Sequence, residues 1–178
     1  MKYSSELNRS MEFLATSSQT IFLGQAVEYP GTVMTNSMKN IPTSKKIELP
    51  VTEEMQMGMS IGLSMSGMIP VSIFPRLNFL ILAMNQLINH LDKLKIMSNG
   101  KYDCKVIIRS SIGSERPLHP QFQHIGDFTD SIKLMSTNID VIRLNEARDV
   151  FKSYKKALTR KDGKSTLLIE YGDYHNEK

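Results

Sequence analysis

Residues 49–79, LPVTEEMQMGMSIGLSMSGMIPVSIFPRLNF, decide the fold. They open on an extended Leu49-Pro50-Val51. Thr52 is placed to cap a helix, its hydroxyl accepting from the unpaired amides of the first turn. Glu53 and Glu54 follow where the helix dipole favours negative charge. The helix is predicted to run to about Ser66 and to stop at Gly67, a usual residue there. Ile69 to Phe74 then predicts a short apolar strand. A carboxylate therefore stands at a helix N-terminus, just past the end of the preceding strand. In open α/β sheets that rim is where ligands bind.

One face of the helix is unusually small. Gly58, Gly62 and Ser66 recur every fourth residue and stack on one side. Glycine inside a helix costs about 1 kcal/mol relative to alanine, so two on one face predict close approach of another backbone or a flat ligand. On pattern alone, tight helix–helix packing is the simpler expectation. The methionines at 55, 57, 59, 65 and 68 read as core filler.

The rest of the chain alternates strands with helices. Residues 4–16 predict an amphipathic helix with Leu7, Met11 and Leu14 on one face. Ile21 to Val27 predicts a buried strand ended by Tyr29-Pro30-Gly31. Residues 31–45 are polar and read as a long surface loop with one helical turn. Lys46 to Leu49 is a short strand. Leu77 to about Met97 predicts one long helix closed by Ser98-Asn99-Gly100. Cys104 to Arg109 predicts another strand, and Ser110 to Gly126 an irregular loop of the kind that is functional or mobile. Phe128 to Met135 and Glu146 to Arg160 predict helices, Asp140 to Leu144 and Thr166 to Tyr171 strands, and the tail YHNEK frays. This order predicts an α/β fold: a three-layer αβα sandwich, with about six mostly parallel strands and helices on both faces. No repeat or linker divides residues 1–178, so one domain is expected.

Composition narrows the function. Hydrophobic residues make up 40% and the net charge is +4. No basic stripe is interleaved with aromatics, which argues against a nucleic-acid partner. The longest apolar run, around Phe79 to Met84, is too short to span a membrane. The N-terminus MKYSSELNRS does not read as a signal peptide, so a cytoplasmic setting is expected. The single Cys104 excludes an internal disulfide and a cysteine-rich metal site, and reads as a buried inert thiol.

Taken together, these pieces resemble a known family. LPVTEE is similar to the segment of thiamine-diphosphate enzymes that carries the cofactor-activating glutamate. The resemblance is to the pyrimidine-binding domain of 2-oxo acid dehydrogenase beta subunits, pyruvate and branched-chain types, and of the transketolase central domain. In that family a Pro, an aliphatic, a small residue and a Glu lead into a glycine-containing helix, then a strand, a Phe-rich turn and a helix with Asp-Gln-hydrophobic-Ile. Here the pieces are Pro50-Val51-Thr52-Glu53, Gly58 and Gly62, Ile69-Pro70-Val71, Asn78-Phe79 and Asn85-Gln86-Leu87-Ile88-Asn89. Upstream, Phe22-Leu23-Gly24 and Tyr29-Pro30-Gly31 resemble the family's first strand and loop. The ordered series covers nearly the whole chain.

The resemblance implies roles. Taken alone, Glu53 is more often a structural first-turn acid; the resemblance makes it the carboxyl that shares a proton with a ring nitrogen of the aminopyrimidine. That role needs shielding from water, with burial against neighbours such as Val51 opposing the helix N-terminus. Glu54 reads as solvated or bridging. Phe79 is implied to stack on the aminopyrimidine, and its alternative is a core Phe. Gln121-Phe122-Gln123-His124 resembles the family's Gln-His loop, so His124 is implied to contact substrate, with His119 a competitor and either open to a surface role. His90 reads as packed or exposed rather than catalytic. Ile73 departs from the family, which often has a Glu there. Pro75 and Arg76 depart from its small or apolar residues, Arg76 being a candidate partner for a phosphate or carboxylate, or a surface residue. The loop bearing His124 is longer and less glycine-rich than in the dehydrogenases.

In this superfamily a second domain with Gly-Asp-Gly and a downstream Asn holds the diphosphate and metal. Gly126-Asp127-Phe128 and Gly172-Asp173-Tyr174 lack the last glycine. The expectation is a subunit that supplies Glu53 to a thiamine-diphosphate-dependent decarboxylase, dehydrogenase or ketol-transferase acting on a 2-oxo acid or ketose. A separate alpha-type chain would bring the diphosphate site and most Mg2+ contacts, in an α2β2-like heterotetramer. The alternative is a catalytically degenerate binding or regulatory module, which Ile73, Pro75 and Arg76 favour. A nucleotide-binding doubly wound domain would need a glycine-rich phosphate turn after an early strand, and the sequence has none.

Overall fold

The computed structural model describes residues 2–30, 32–116 and 119–177, the side chains of 176 and 177 excepted. Gly31 of the first turn, Pro117 and Leu118 of the long loop, and Lys178 of the tail lie outside the described residues. Six parallel strands form one sheet: β1 (Thr20–Gly24), β2 (Lys46–Glu48), β3 (Ile69–Phe74), β4 (Ile107–Ile112), β5 (Ile139–Leu144) and β6 (Ser165–Tyr171). Their order is β2-β1-β3-β4-β6-β5. The chain steps outward from β1 to β2, then returns past β1 to β3. The strand order reverses there, at the kind of crevice where such sheets hold ligands.

Side-chain alternation sends the strand residues into two cores. Phe22, Val71, Ile73, Ile107 and Leu168 face one side. There α1 (Tyr3–Ala15) and α7 (Ala147–Thr159) cover them with Leu7, Met11, Leu14, Val150, Tyr154 and Ala157. Phe74, Ile108, Ile112, Leu167 and Ile169 face the other. That side is covered by Met57 of α3 (Glu53–Met65), by the helical stretch from Leu77, and by Ile132 of α6 (Thr129–Met135). Burial of each such side chain contributes roughly 1.5–3 kcal/mol before chain entropy is counted. The expected α/β sandwich, with helices on both faces, is the observed architecture.

Several boundaries differ from expectation for identifiable reasons. β1 ends at Gly24 rather than Val27, because Gly24 (φ +140°) and Ala26 (φ +59°) turn the backbone away. A side chain at Gly24 would put its Cβ 2.3 Å from the Ile73 carbonyl oxygen, so only glycine fits there. β4 starts three residues later than Cys104 and runs on through Ser110, Ser111 and Ile112, which pair with β6. Residues 31–45 are not wholly a surface loop: α2 (Val33–Asn36) and its surroundings bury Met34, Met38 and Ile41 in the first core. The helix after Leu77 is not uniform. It begins as α4 (Leu77–Leu80), tightens over Ile81–Ala83, and widens to a π turn over Asn85–Leu91, with Asp92 N donating to Leu87 O at 3.0 Å. α5 (Leu94–Met97) follows, and Asn99 and Gly100 close it with positive φ. Nor is the start of the tail frayed. α8 (Tyr174–Glu177) carries His175, which is 6% exposed, and Tyr174 packs on Tyr3. Cys104 is buried, and burial pushes its thiol up. No helix among the described residues is long and apolar enough to cross a membrane.

Candidate functional site

Glu53 opens α3 at the C-terminal rim of the sheet, beside the reversal of strand order, and is only 4% exposed. Its Oε1 accepts a hydrogen bond from Gln25 Nε2 at 3.2 Å. Gln25 lies just past the end of β1, in a turn fixed by Glu48. At the end of β2, the Glu48 carboxylate accepts from the amides of Ala26, Val27 and Glu28, each at 2.8 Å. Gln56, one turn into α3, donates to Ser72 Oγ and Ile73 O and ties the helix to β3. The expected Thr52 cap is absent: its hydroxyl donates to Pro50 O at 3.2 Å and makes no cap bond to the first turn. Val51 is 74% exposed, so the shielding of Glu53 comes from elsewhere.

An open groove of about 830 Å³ runs along α3 from Glu53, lined by Met55, Gly58 and Met59 on one side and Leu82 and Gln86 on the other. Among the described residues, no helix packs against Gly58 or Gly62 of the small face. No atom lies within 4 Å of where a Cβ would stand at Gly58 or Gly62. Of the five methionines only Met57 is core; Met55 and Met65 are exposed on either side of that face. Glu54 bridges the groove, accepting from Gln86 Nε2 at 2.8 Å. Leu82 and Gln86 belong to the same helical stretch as Phe79, which is not itself among the residues lining the groove.

Phe79 is half-buried and meets the His124 ring edge-on, with centroids 5.6 Å apart. His124 Nδ1 is buried without a hydrogen-bond partner, while Nε2 lies 3.4 Å from Gln123 Nε2. His119 is apart from this pair and exposed. It sits 3.4 Å from Glu115, rests on Phe122, and lines a different hollow with Tyr171 and Asp173. His90 is exposed on its helix. Ile73 is fully buried in β3. Arg76 Nη1 donates to the backbone oxygens Gly113 O and His124 O, and the charge of Asp173 acts on its guanidinium.

Residues 2–173 match the sequence family described as transketolase, pyrimidine binding domain. The chain belongs to that family. Among curated relatives, the pyruvate dehydrogenase E1 component subunit beta of Cyanidium caldarium is 33% identical over 133 residues, 74% of this chain and 39% of that protein. The 2-oxoisovalerate dehydrogenase subunit beta of Bacillus subtilis is 26% identical over 117 residues, 64% of this chain and 36% of its own length. The chain thus spans less than two fifths of these relatives. Among solved structures, a split gene transketolase described as an inactive beta4 tetramer superposes with a TM-score of 0.73 at 16% identity, covering 97% of this chain and 52% of that one. This last likeness bears on the fold.

A buried charge network under the same rim of this pyrimidine-binding domain is not among the expected residues. Arg109 of β4 and Glu170 of β6, both fully buried, pair bidentately: Nε to Oε1 at 2.6 Å and Nη2 to Oε2 at 2.9 Å. Tyr154 OH donates to Glu170 at 2.5 Å, and Arg109 Nη1 reaches Ser37 Oγ at 2.8 Å. His175 Nε2 stands 2.9 Å from Glu170, within ion-pair range but not aligned as a hydrogen bond. Burial alone would raise the Glu170 carboxyl; Arg109 and then His175 overcome it and hold it down to about 2. The same carboxylate keeps Arg109 protonated against burial, and burial with the Glu170 charge pushes the Tyr154 phenol well up. One sequence signal pointed here: a lone Arg in VIIRSSI and a lone Glu in LLIEY, opposite charges inside two apolar strands.

Proposed function

We propose that this chain is one domain, the pyrimidine-binding half of a thiamine-diphosphate-dependent enzyme, working in the cytoplasm on a 2-oxo acid or a ketose. The observation that carries the reading is Glu53: a buried carboxyl at a helix N-terminus, opening onto a groove with a bare glycine wall, in a chain of this family. The residues fit an aminopyrimidine. The groove is wide enough for a flat ring, its walls are largely apolar, and Glu53 has one oxygen held by Gln25. Thiamine diphosphate, when bound, supplies an acidic thiazolium carbon on which decarboxylation and acyl or ketol transfer turn. Glu53 would share a proton with a ring nitrogen of the pyrimidine, and Gln25 would fix the carboxyl's direction. Phe79 and the exposed Val51, which precedes the groove residue Thr52, would flank the ring. His124 would hold or move a proton at the substrate, a task suited to imidazole near neutral pH.

The partner part of the reading rests on surface. Val51, Met55, Met65, Ile81 and Leu82, on α3, just before it or on the facing helical stretch, are exposed apolar side chains that a partner could cover. A diphosphate-binding alpha-type chain seated there would shield Glu53 and bring Mg2+ with it, in an α2β2-like heterotetramer. A degenerate binding module is the second reading, favoured by the buried apolar Ile73 where the family often has a Glu.

The test is proton–deuterium exchange at the thiazolium carbon in the complex with the diphosphate-binding chain, comparing wild type with Glu53→Gln. Gln keeps the shape and one acceptor but cannot exchange a carboxyl proton. A large slowing with unchanged melting temperature is expected; unchanged exchange removes Glu53 from the chemistry and puts the second reading first.

A further inference from the structure

The turn after β3 holds the His124 loop by more than proximity. Among the described residues between Gly113 and Phe128, the one regular element is a short turn at Phe122–His124, so carbonyls there need donors from elsewhere. Two come from one turn. Arg76 Nη1 donates to Gly113 O at 3.1 Å, where the loop leaves β4, and to His124 O at 3.2 Å, where it returns. Asn78 Nδ2 donates to the neighbouring carbonyl, Gln123 O, at 2.9 Å. The next residue, Phe79, is the ring on which His124 rests. Space is tight: a side chain at Gly126 would meet the Phe128 ring at 2.5 Å and Asn78 Nδ2 at 3.1 Å. Asp173 secures the loop's start, accepting from the amides of Glu115 and Arg116. The partners of His119 are instead local: its Nδ1 accepts from Gln121 N, and its ring lies by Glu115 and Phe122.

We propose that Arg76, with Asn78, is a positioning residue that clamps His124 against Phe79. The inference deepens the reading of the site given above and rests on it for the role of His124. The guanidinium carries several N–H donors in a rigid plane, so one side chain can bond both ends of the loop; a lysine ammonium on a flexible stem holds two carbonyls less well.

The experiment uses the full chain labelled with 13C-histidine. Proton–carbon spectra follow the four imidazoles, and amide exchange follows His124 N, which donates to Gln121 O. In Arg76→Ala the His124 ring signal is expected to lose the Phe79 ring-current shift, and its amide to exchange at least tenfold faster. His90 and His175 should keep their signals, which separates loop release from unfolding. Arg76→Lys should fall between wild type and Ala, and millimolar guanidinium should draw the Ala variant back toward wild type. Asn78→Ala should act in the same direction, and it serves if Arg76→Ala fails to fold. An unchanged His124 signal in both variants overturns the clamp. None of these readouts needs turnover, so the clamp fails or stands apart from the catalytic reading, which His124→Ala tests in the assembled enzyme.

Discussion

Replacing Glu170 by Gln keeps the shape of the side chain and removes one buried charge. The wild-type carboxylate is fully buried and receives Arg109 through two hydrogen bonds and Tyr154 through a third. Gln offers one oxygen and points an NH2 group at these donors, leaving the Arg109 guanidinium without its counter-charge. The size of the loss follows two ways. Breaking a buried pair by removing one partner costs about 3–5 kcal/mol. Independently, the carboxyl lies at about 2 in the fold against an ordinary 4.5, which at roughly 1.4 kcal/mol per tenfold gives about 3 kcal/mol. The sign is that of a depressed acid. The contribution is complete above pH 4.5 and drains away as pH falls toward 2. Urea unfolding followed by circular dichroism should therefore show Glu170→Gln about 3–5 kcal/mol less stable at pH 7, or roughly 10 °C lower in melting temperature for a chain of this length. The gap should narrow steadily between pH 5 and pH 3. Asp92, whose burial opposes but whose bonds from Lys93, Thr137 and Asn138 hold its carboxyl low, loses stability in the same window. It does so equally in both proteins and cancels from the difference. A gap below about 1 kcal/mol, or one that stays constant with pH, would refute the reasoning.

Other consequences are simpler to state. His124→Ala in the assembled enzyme should lower turnover by about 100-fold with little change in cofactor affinity, whereas His119→Ala should leave it near wild type; a larger loss at His119 would invert the assignment. Gly58→Ala and Gly62→Ala should each stabilise the isolated chain by about 0.5–1 kcal/mol, because a helix gains from alanine and nothing stands within 4 Å of the new methyl. The same substitutions should weaken association with the diphosphate-binding chain in sedimentation or calorimetry. Stabilisation without weakened association would show that no partner backbone approaches this face.

The strands of this fold were legible because parallel strands are buried on both faces and read as apolar runs. What misled the reading of β4 was its second half. Ser110 and Ser111 look like loop, yet with Arg109 they sit in mid-sheet, fully or nearly fully buried. Arg109 is satisfied by Glu170 and Ser111 by the Pro75 carbonyl. Those partners lie far along the chain, and no local period contains them. The site divides in the same way. Glu53 could be named from residues 49–79 because a helix start and a strand end are local facts. Gln25 and Glu48 could not, because they matter only once β1 and β2 lie side by side and Glu48 pins the turn that aims Gln25 at Glu53. Arg76 was legible as a departure but not as a bond, since its acceptors are two backbone carbonyls on another loop. The glycine face is the reverse case. Its spacing was plain in sequence, but the helix packing that the spacing suggests is not found among the described residues. Among the described residues nothing covers Gly58 or Gly62, although each costs a helix about 1 kcal/mol relative to alanine, and Glu53 lines the groove beside Gly58.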